Sequence, residues 1–172
     1  MRSDRAGPGE PPAHTDIHWP AGLTPSDADA FQHDEASIDS PPERVFGYLV
    51  DVDGWPSWNP QVRRVRTSGR IGPGAMFQIE FRGLRLDAMV GECVPPSRFG
   101  WAGTTTDLSM YQAWLLLPTP SGTRVIAEEM AKGATAITNR DGRAAERTRD
   151  GHRELLSRLK HVAGQDSGTE PS

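Results

Sequence analysis

The sequence predicts an α+β protein in which one curved antiparallel sheet is covered by a long terminal helix. Three observations carry this. Hydrophobicity alternates with period two from about Val62 to Glu129 and turn residues interrupt it at short intervals, the mark of an antiparallel meander. Near the end, Ala145, Thr148, His152, Leu155, Leu159 and Val162 recur three or four apart, as on one face of a helix. A chain of 172 residues with 35% hydrophobic content has material for one core and little for a second.

Taken in order, residues 1–32 are rich in Pro, Gly, Ser and Asp without periodicity and are expected to form a disordered tail. The main domain is expected at 33–163, and residues 164–172, beginning "GQDSG", read as a second disordered tail. Phe31–Asp39 is a candidate first strand. "SPPERVFGYLV" follows, with Ser40 expected as N-cap, prolines in the first turn, and Val45, Phe46, Leu49 and Val50 as a buried stripe. The bend "DVDGWPSWNPQV" carries two tryptophans. Then "VRRVRTSG" is a strand, and Phe77, Ile79 and Phe81 alternate with polar neighbours in the next. Leu84, Leu86, Ala88 and Val90 form another inward set, and Phe99 and Trp101 share a face. Met110, Gln112, Trp114 and Leu116 point to one side of the following strand, which places Tyr111 outside. Val125, Ala127 and Glu129 end the meander. The last helix is expected from about Asn139 to Val162, its arginines and carboxylates forming a solvated face.

Composition excludes several functions. One cysteine, Cys93, supplies neither an internal disulfide nor a thiolate cage, and the expected compartment is the cytoplasm. No stretch approaches the roughly 18 apolar residues of a membrane span, so integral membrane contact is not expected. A net charge of -4 argues against a general nucleic-acid binder. Asp51, Asp53 and Gly54 suggest a calcium loop, but its twelfth position is Val62 where a bidentate glutamate is needed. His14, Asp16 and His18 lie in the expected tail and are not read as a metal site. No metal and no cofactor are expected, and neither a phosphate-binding loop nor a nucleophile elbow occurs. The arginines of "QVRRVR" suit a solvated strand face. Oligomeric state has no sequence signal.

The inward polar residues Gln112, Glu129 and His152 carry the chemical interest, because a buried ionisable group needs a partner, water or a ligand. A glutamate raised in pKa by an apolar cavity and a histidine across from it suit acid/base work. Strand-end pairing of Glu129 and simple helix packing of His152 explain the same residues without catalysis. Both readings stand at this point.

The phrases "SPPERVFGYLVDVDGWPSWNP", "GPGAMFQIEF", "VPPSRFGWAG", "PTPSGTRVIAEE" and "ELLSRLKHVA", in this order, resemble the polyketide cyclase/dehydrase branch of the START-related superfamily, which includes birch-pollen-allergen-like proteins. The resemblance spans about Phe31 to Val162. It implies a helix-grip fold: a seven-stranded antiparallel sheet curled around the C-terminal helix, with two short helices after the first strand. It also implies that Trp55 pins the second short helix to the sheet and that Trp58 and Asn59 lie near the cavity. The expected lining is Trp58, Asn59, Phe77, Ile79, Phe99, Trp101, Trp114 and Leu155, around a small hydrophobic or polycyclic ligand. The alternative is a polyketide cyclase/dehydrase that uses Glu129, His152 and Gln112 for aldol cyclisation or dehydration in the same cavity.

Overall fold

A computed structural model describes residues 14–165. Seven strands, β1 (Ala30–Ile38), β2 (Val62–Thr67), β3 (Met76–Phe81), β4 (Leu84–Val94), β5 (Arg98–Thr104), β6 (Ser109–Thr119) and β7 (Gly122–Lys132), form one antiparallel sheet. Their order is β1-β7-β6-β5-β4-β3-β2, so the meander is closed on one side by the first strand. Between β1 and β2 lie helix α1 (Pro42–Val50) and a 3-10 helix over Val52–Ser57; after β7 come α2 (Ala134–Asn139) and α3 (Gly142–Gln165). This is the helix-grip arrangement.

Each element follows from local chemistry. In α1 the prolines fall at the start, where a missing N–H costs nothing, and Val45, Phe46 and Leu49 form the buried stripe. The N-cap is Pro41, not Ser40, and no side chain caps the helix. Trp55 does pin the bend: its indole N–H donates to the carbonyls of Tyr48 (3.2 Å) and Leu49 (3.1 Å) at the end of α1. Its ring packs edge-on against Phe77 and Phe99 and tilted against Trp101, with centroids 5.6–6.2 Å apart. The hairpin β3–β4 turns through Arg82 (φ 50°) and Gly83 (φ 79°), both in the left-handed region that two-residue hairpins require. The terminal helix is interrupted at Arg140–Asp141, and α3 restarts at Gly142. Its buried face is Ala145, His152, Leu155, Leu156, Leu159 and Ala163. Val162, at the edge of this stripe, is partly buried.

The sheet has two apolar faces. The concave one packs on α1, the 3-10 helix and α3 and forms the larger core. On the convex one, Tyr111, Ala113, Leu115, Ile126 and Met130 are covered by Ile17, Trp19, Leu23, Ala28 and Phe31. The expectation of disorder through Gln32 therefore does not describe residues 14–32. The amide N–H of His14 donates to both oxygens of Glu128, at 3.0 Å each. Arg98 donates to the carbonyl of Asp16, Lys132 to that of Gly22, and His18 pairs with Glu92 at 2.9 Å. Few apolar side chains suffice here because they meet a flat apolar surface already built by β6 and β7. Tyr111 has the outward parity expected of it, yet it is buried, beneath Trp19 and above Gly91 and Gly100. The disorder expected of residues 1–13 and 166–172 concerns positions outside the described residues, whereas Gly164 and Gln165 belong to α3. Among the described residues no helix is long and apolar enough to cross a membrane.

Candidate functional site

Strand register sets a row of side chains across the concave face. Gln32 of β1 stands opposite Glu129 of β7, Glu129 opposite Gln112 of β6, and Gln112 opposite Trp101 of β5. In the next row Asp34 faces Ala127, which faces Trp114, which faces Phe99. The polar part of this surface is thus a transverse band, and the aromatic part continues it.

Gln112 is the joint between the two. Its Oε1 accepts from the indole N–H groups of Trp101 (3.0 Å) and Trp114 (3.1 Å), and its Nε2 donates to Glu129 Oε2 (3.0 Å). Glu129, only 5% exposed, also receives both Nη groups of Arg82, at 2.6 and 3.2 Å. Arg82 reaches it from the β3–β4 turn although β5 and β6 lie between β4 and β7 in the sheet, a contact that the curl of the sheet brings about. The guanidinium lies 4.5 Å above the Phe81 ring, and its Nε and Nη2 each lie 3.0 Å from the side-chain amide of Gln61, which accepts from both when its oxygen is turned toward them. Gln61 in turn abuts α3 at Gly151, where a Cβ would come within 2.9 Å of its amide. Arg82, 26% exposed, brings the Glu129 end of the band to solvent.

His152 descends from α3 on the other side of Glu129. It is 0% exposed; Nδ1 lies 2.6 Å from Asp34 Oδ2, while Nε2 has no hydrogen-bond partner among the described residues. Asp34 also accepts from Gln32 Nε2 (3.3 Å) and lies 3.9 Å from Arg153 Nε.

The electrostatics differ from the expectation for Glu129. Burial alone pushes its carboxyl upward, but the charge of Arg82, with hydrogen bonds from Arg82 and Gln112, outweighs burial and holds it below the ordinary carboxylate value. It is therefore an engaged carboxylate, not a proton donor near neutrality. For Asp34 burial is likewise outweighed, chiefly by His152, and its carboxyl is lowered too.

The three residues singled out as catalytic candidates, Glu129, His152 and Gln112, are brought to one place. The expected lining residues Trp58, Phe77, Ile79, Phe99, Trp101, Trp114 and Leu155 are all buried, but they pack on one another and on Trp55. Trp101 meets Phe77 at 5.9 Å and Phe81 at 5.5 Å, and Trp58 meets Tyr48 at 6.3 Å. Asn59 is buried with its Oδ1 accepting the backbone N–H of Gln61 at 3.0 Å, which fixes the bend beside Gln61. A groove of about 250 Å³ lies instead on the convex side of β2–β4, lined by Arg64, Arg66, Gln78, Glu80, Arg85 and Asp87 among others. It does not touch the polar band. No group of three metal-ligating side chains occurs among the described residues.

Sequence reasoning missed Arg82, Asp34 and Gln61. Asp34 was within reach of parity: Ile38 and Ala36 point inward, and the same alternation carries Asp34 and Gln32 with them. Arg82 had no such signal, because a turn residue belongs to neither face.

A sheet curled on its terminal helix and gripped by short helices defines a helix-grip protein, here with polar groups on the inward face. The chain belongs to the polyketide cyclase/dehydrase and lipid transport family, whose model matches residues 33–164. A comparison with curated proteins finds no match. Among solved structures it is similar to a hypothetical protein from Helicobacter pylori, with TM-score 0.77 and 20% identity over 90% of this chain and 99% of that one. It is also similar to a START superfamily protein from Mycobacterium smegmatis, with TM-score 0.61 and 13% identity over 78% and 97% of the chains. The di-domain ARO/CYC StfQ from the steffimycin biosynthetic pathway gives TM-score 0.65 and 17% identity over 81% of this chain and 52% of StfQ.

Proposed function

We propose that the protein binds a hydrophobic or polycyclic small molecule between the concave face of the sheet and α3, acting as a carrier. The polar end of the ligand lies at the band of Glu129, Arg82, Gln112 and His152, and its apolar body lies against Trp101, Trp114, Phe99 and Leu155. The observation that carries this reading is an unmet polar atom in an aromatic interior: His152 Nε2, fully buried, with its ring held from the other side. Burying such an atom without a partner costs on the order of 1–3 kcal/mol, and a ligand group that meets it recovers that cost. Packing between the rings means that entry separates α3 from the β3–β4 turn at Arg82, where the band meets solvent.

The family also includes cyclisation and dehydration among its activities. For this chain that reading has less support. Both oxygens of Glu129 are engaged and its carboxyl is lowered, so the pairing of Glu129 as acid with His152 as base does not fit. His152 alone is left to move a proton.

Trp101 and Trp114 share one acceptor with the band, so their emission is the test. Titration with 2-naphthol, a fused-ring ketone and a long-chain fatty acid is expected to give a saturable change for at least one. Native mass spectrometry of protein from its own host is expected to show the mass of a retained small molecule. Absence of both results overturns the carrier reading, and turnover of a poly-β-ketone substrate replaces it with the enzyme.

A further inference from the structure

We propose that Asp34 is a specificity-determining positioning residue, which sets His152 to accept a hydrogen bond at Nε2 and so selects ligands that present a hydroxyl group there. The inference rests on the carrier reading and names the chemical class of what is carried.

An ionised carboxylate can only accept hydrogen bonds. At 2.6 Å from Asp34 Oδ2, Nδ1 of His152 must therefore be the nitrogen that bears hydrogen. The surrounding interactions keep Asp34 ionised: Gln32 donates to the same oxygen, and Arg153 stands beside the other. The carboxyl is also lowered from its ordinary value. With Nδ1–H committed to Asp34, the neutral imidazole turns a lone pair toward the interior at Nε2.

Charge around the ring decides what meets that lone pair. The charged groups around it are Asp34 on β1 and Glu129 on β7, with Arg153 of α3 beside the first and Arg82 of the β3–β4 turn paired to the second, two carboxylates and two guanidiniums. The sum is zero with a neutral imidazole, and Arg82 is already committed to Glu129. A ligand carboxylate would oppose both the lone pair and the adjacent acids. An ether or ketone oxygen offers only acceptors to an acceptor. An alcohol, phenol or enol O–H satisfies Nε2 without bringing charge into the interior. The same reasoning separates Asp34 from the band that holds Glu129: it makes no contact with the ligand and acts through the ring it orients.

The test pairs a spectroscopic signature with a binding ratio. In protein labelled with ¹⁵N-histidine, the wild-type His152 signals are expected to report Nδ1–H with Nε2 unprotonated, and addition of 2-naphthol should shift Nε2. A wild-type ring that bears hydrogen on Nε2 overturns the proposal with no variant needed. By calorimetry, 2-naphthol is expected to bind about tenfold or more tightly than 2-methoxynaphthalene, the scale of one buried hydrogen bond left unmade. Asp34→Asn, whose amide can donate to Nδ1, is expected to move hydrogen to Nε2 and reduce the ratio to within about twofold. Asp34→Glu, which keeps the carboxylate, should restore most of it. Equal affinities in the wild type overturn the hydroxyl preference and leave the carrier reading standing. If neither naphthalene binds, the carrier reading fails for this ligand class and the preference fails with it.

Discussion

Replacing Arg82 by Met tests how the interior tolerates Glu129. Methionine keeps an apolar stem over Phe81 but removes the charge and the two hydrogen bonds at 2.6 and 3.2 Å. Breaking a buried ion pair by deleting one partner costs about 3–5 kcal/mol, because the other charge stays buried. Arg82 is 26% exposed, so water softens the loss, and about 2–3 kcal/mol is expected. For a domain of this size that corresponds to a fall in Tm of roughly 5–10 °C at pH 7. The pH dependence is more diagnostic. In the wild type the carboxyl of Glu129 is lowered, so its contribution to stability is fully present above the ordinary glutamate pKa and is lost only as pH falls through the lowered folded value. In the variant the strongest opposing charge is gone and burial drives the carboxyl up. A proton taken up on acidification then relieves the unpaired charge, so the deficit should shrink between pH 7 and pH 5. Thermal melts of both proteins by circular dichroism at the two pH values measure this. An equal deficit at both, or a larger one at pH 5, would refute the account of Glu129 as an ion held by Arg82.

Gln112→Leu leaves two buried indole N–H groups without their acceptor, and urea unfolding is expected to give a loss of about 2–3 kcal/mol with a shift in tryptophan emission. Trp19→Ala uncovers Tyr111 and Phe31 on the convex face; as Trp19 is only partly buried, about 2 kcal/mol is expected by the same measurement, and no change would mean that the segment does not cover the sheet. Gly100→Ala puts a Cβ inside the space of the Tyr111 ring and should cost about 1–3 kcal/mol, partly recovered when Tyr111→Leu is added; additive losses in the double variant would deny the contact.

Much of the architecture was legible in the sequence by itself, because it depends on short-range periodicity. Alternation named the inward residues of β3 to β7, apart from Leu84, which is exposed at the start of β4, and spacing of three and four named His152, Leu155 and Leu159 on α3. Parity also brought Gln112, Glu129 and His152 to one interior, since an inward position on a strand or helix is a local property. The convex face had a local signal as well: "MYQAWLLL" is apolar at both parities, and a strand buried on both sides needs a second cover. What supplies that cover is a long-range matter. Ile17, Trp19 and Leu23 lie in a stretch whose composition resembles disorder, and they are ordered by a surface built some ninety residues later. Tertiary structure alone decided the state of the polar band. Whether Glu129 is raised or lowered depends on Arg82, which follows neither strand parity, and on the curl that carries a turn from β3–β4 across to β7. Likewise the hydrogen on His152 is set by Asp34, 118 residues away in the chain. Burial is written into the pattern of each element, whereas the sign of a buried charge's free energy depends on which distant groups meet it, and only the closed fold determines that.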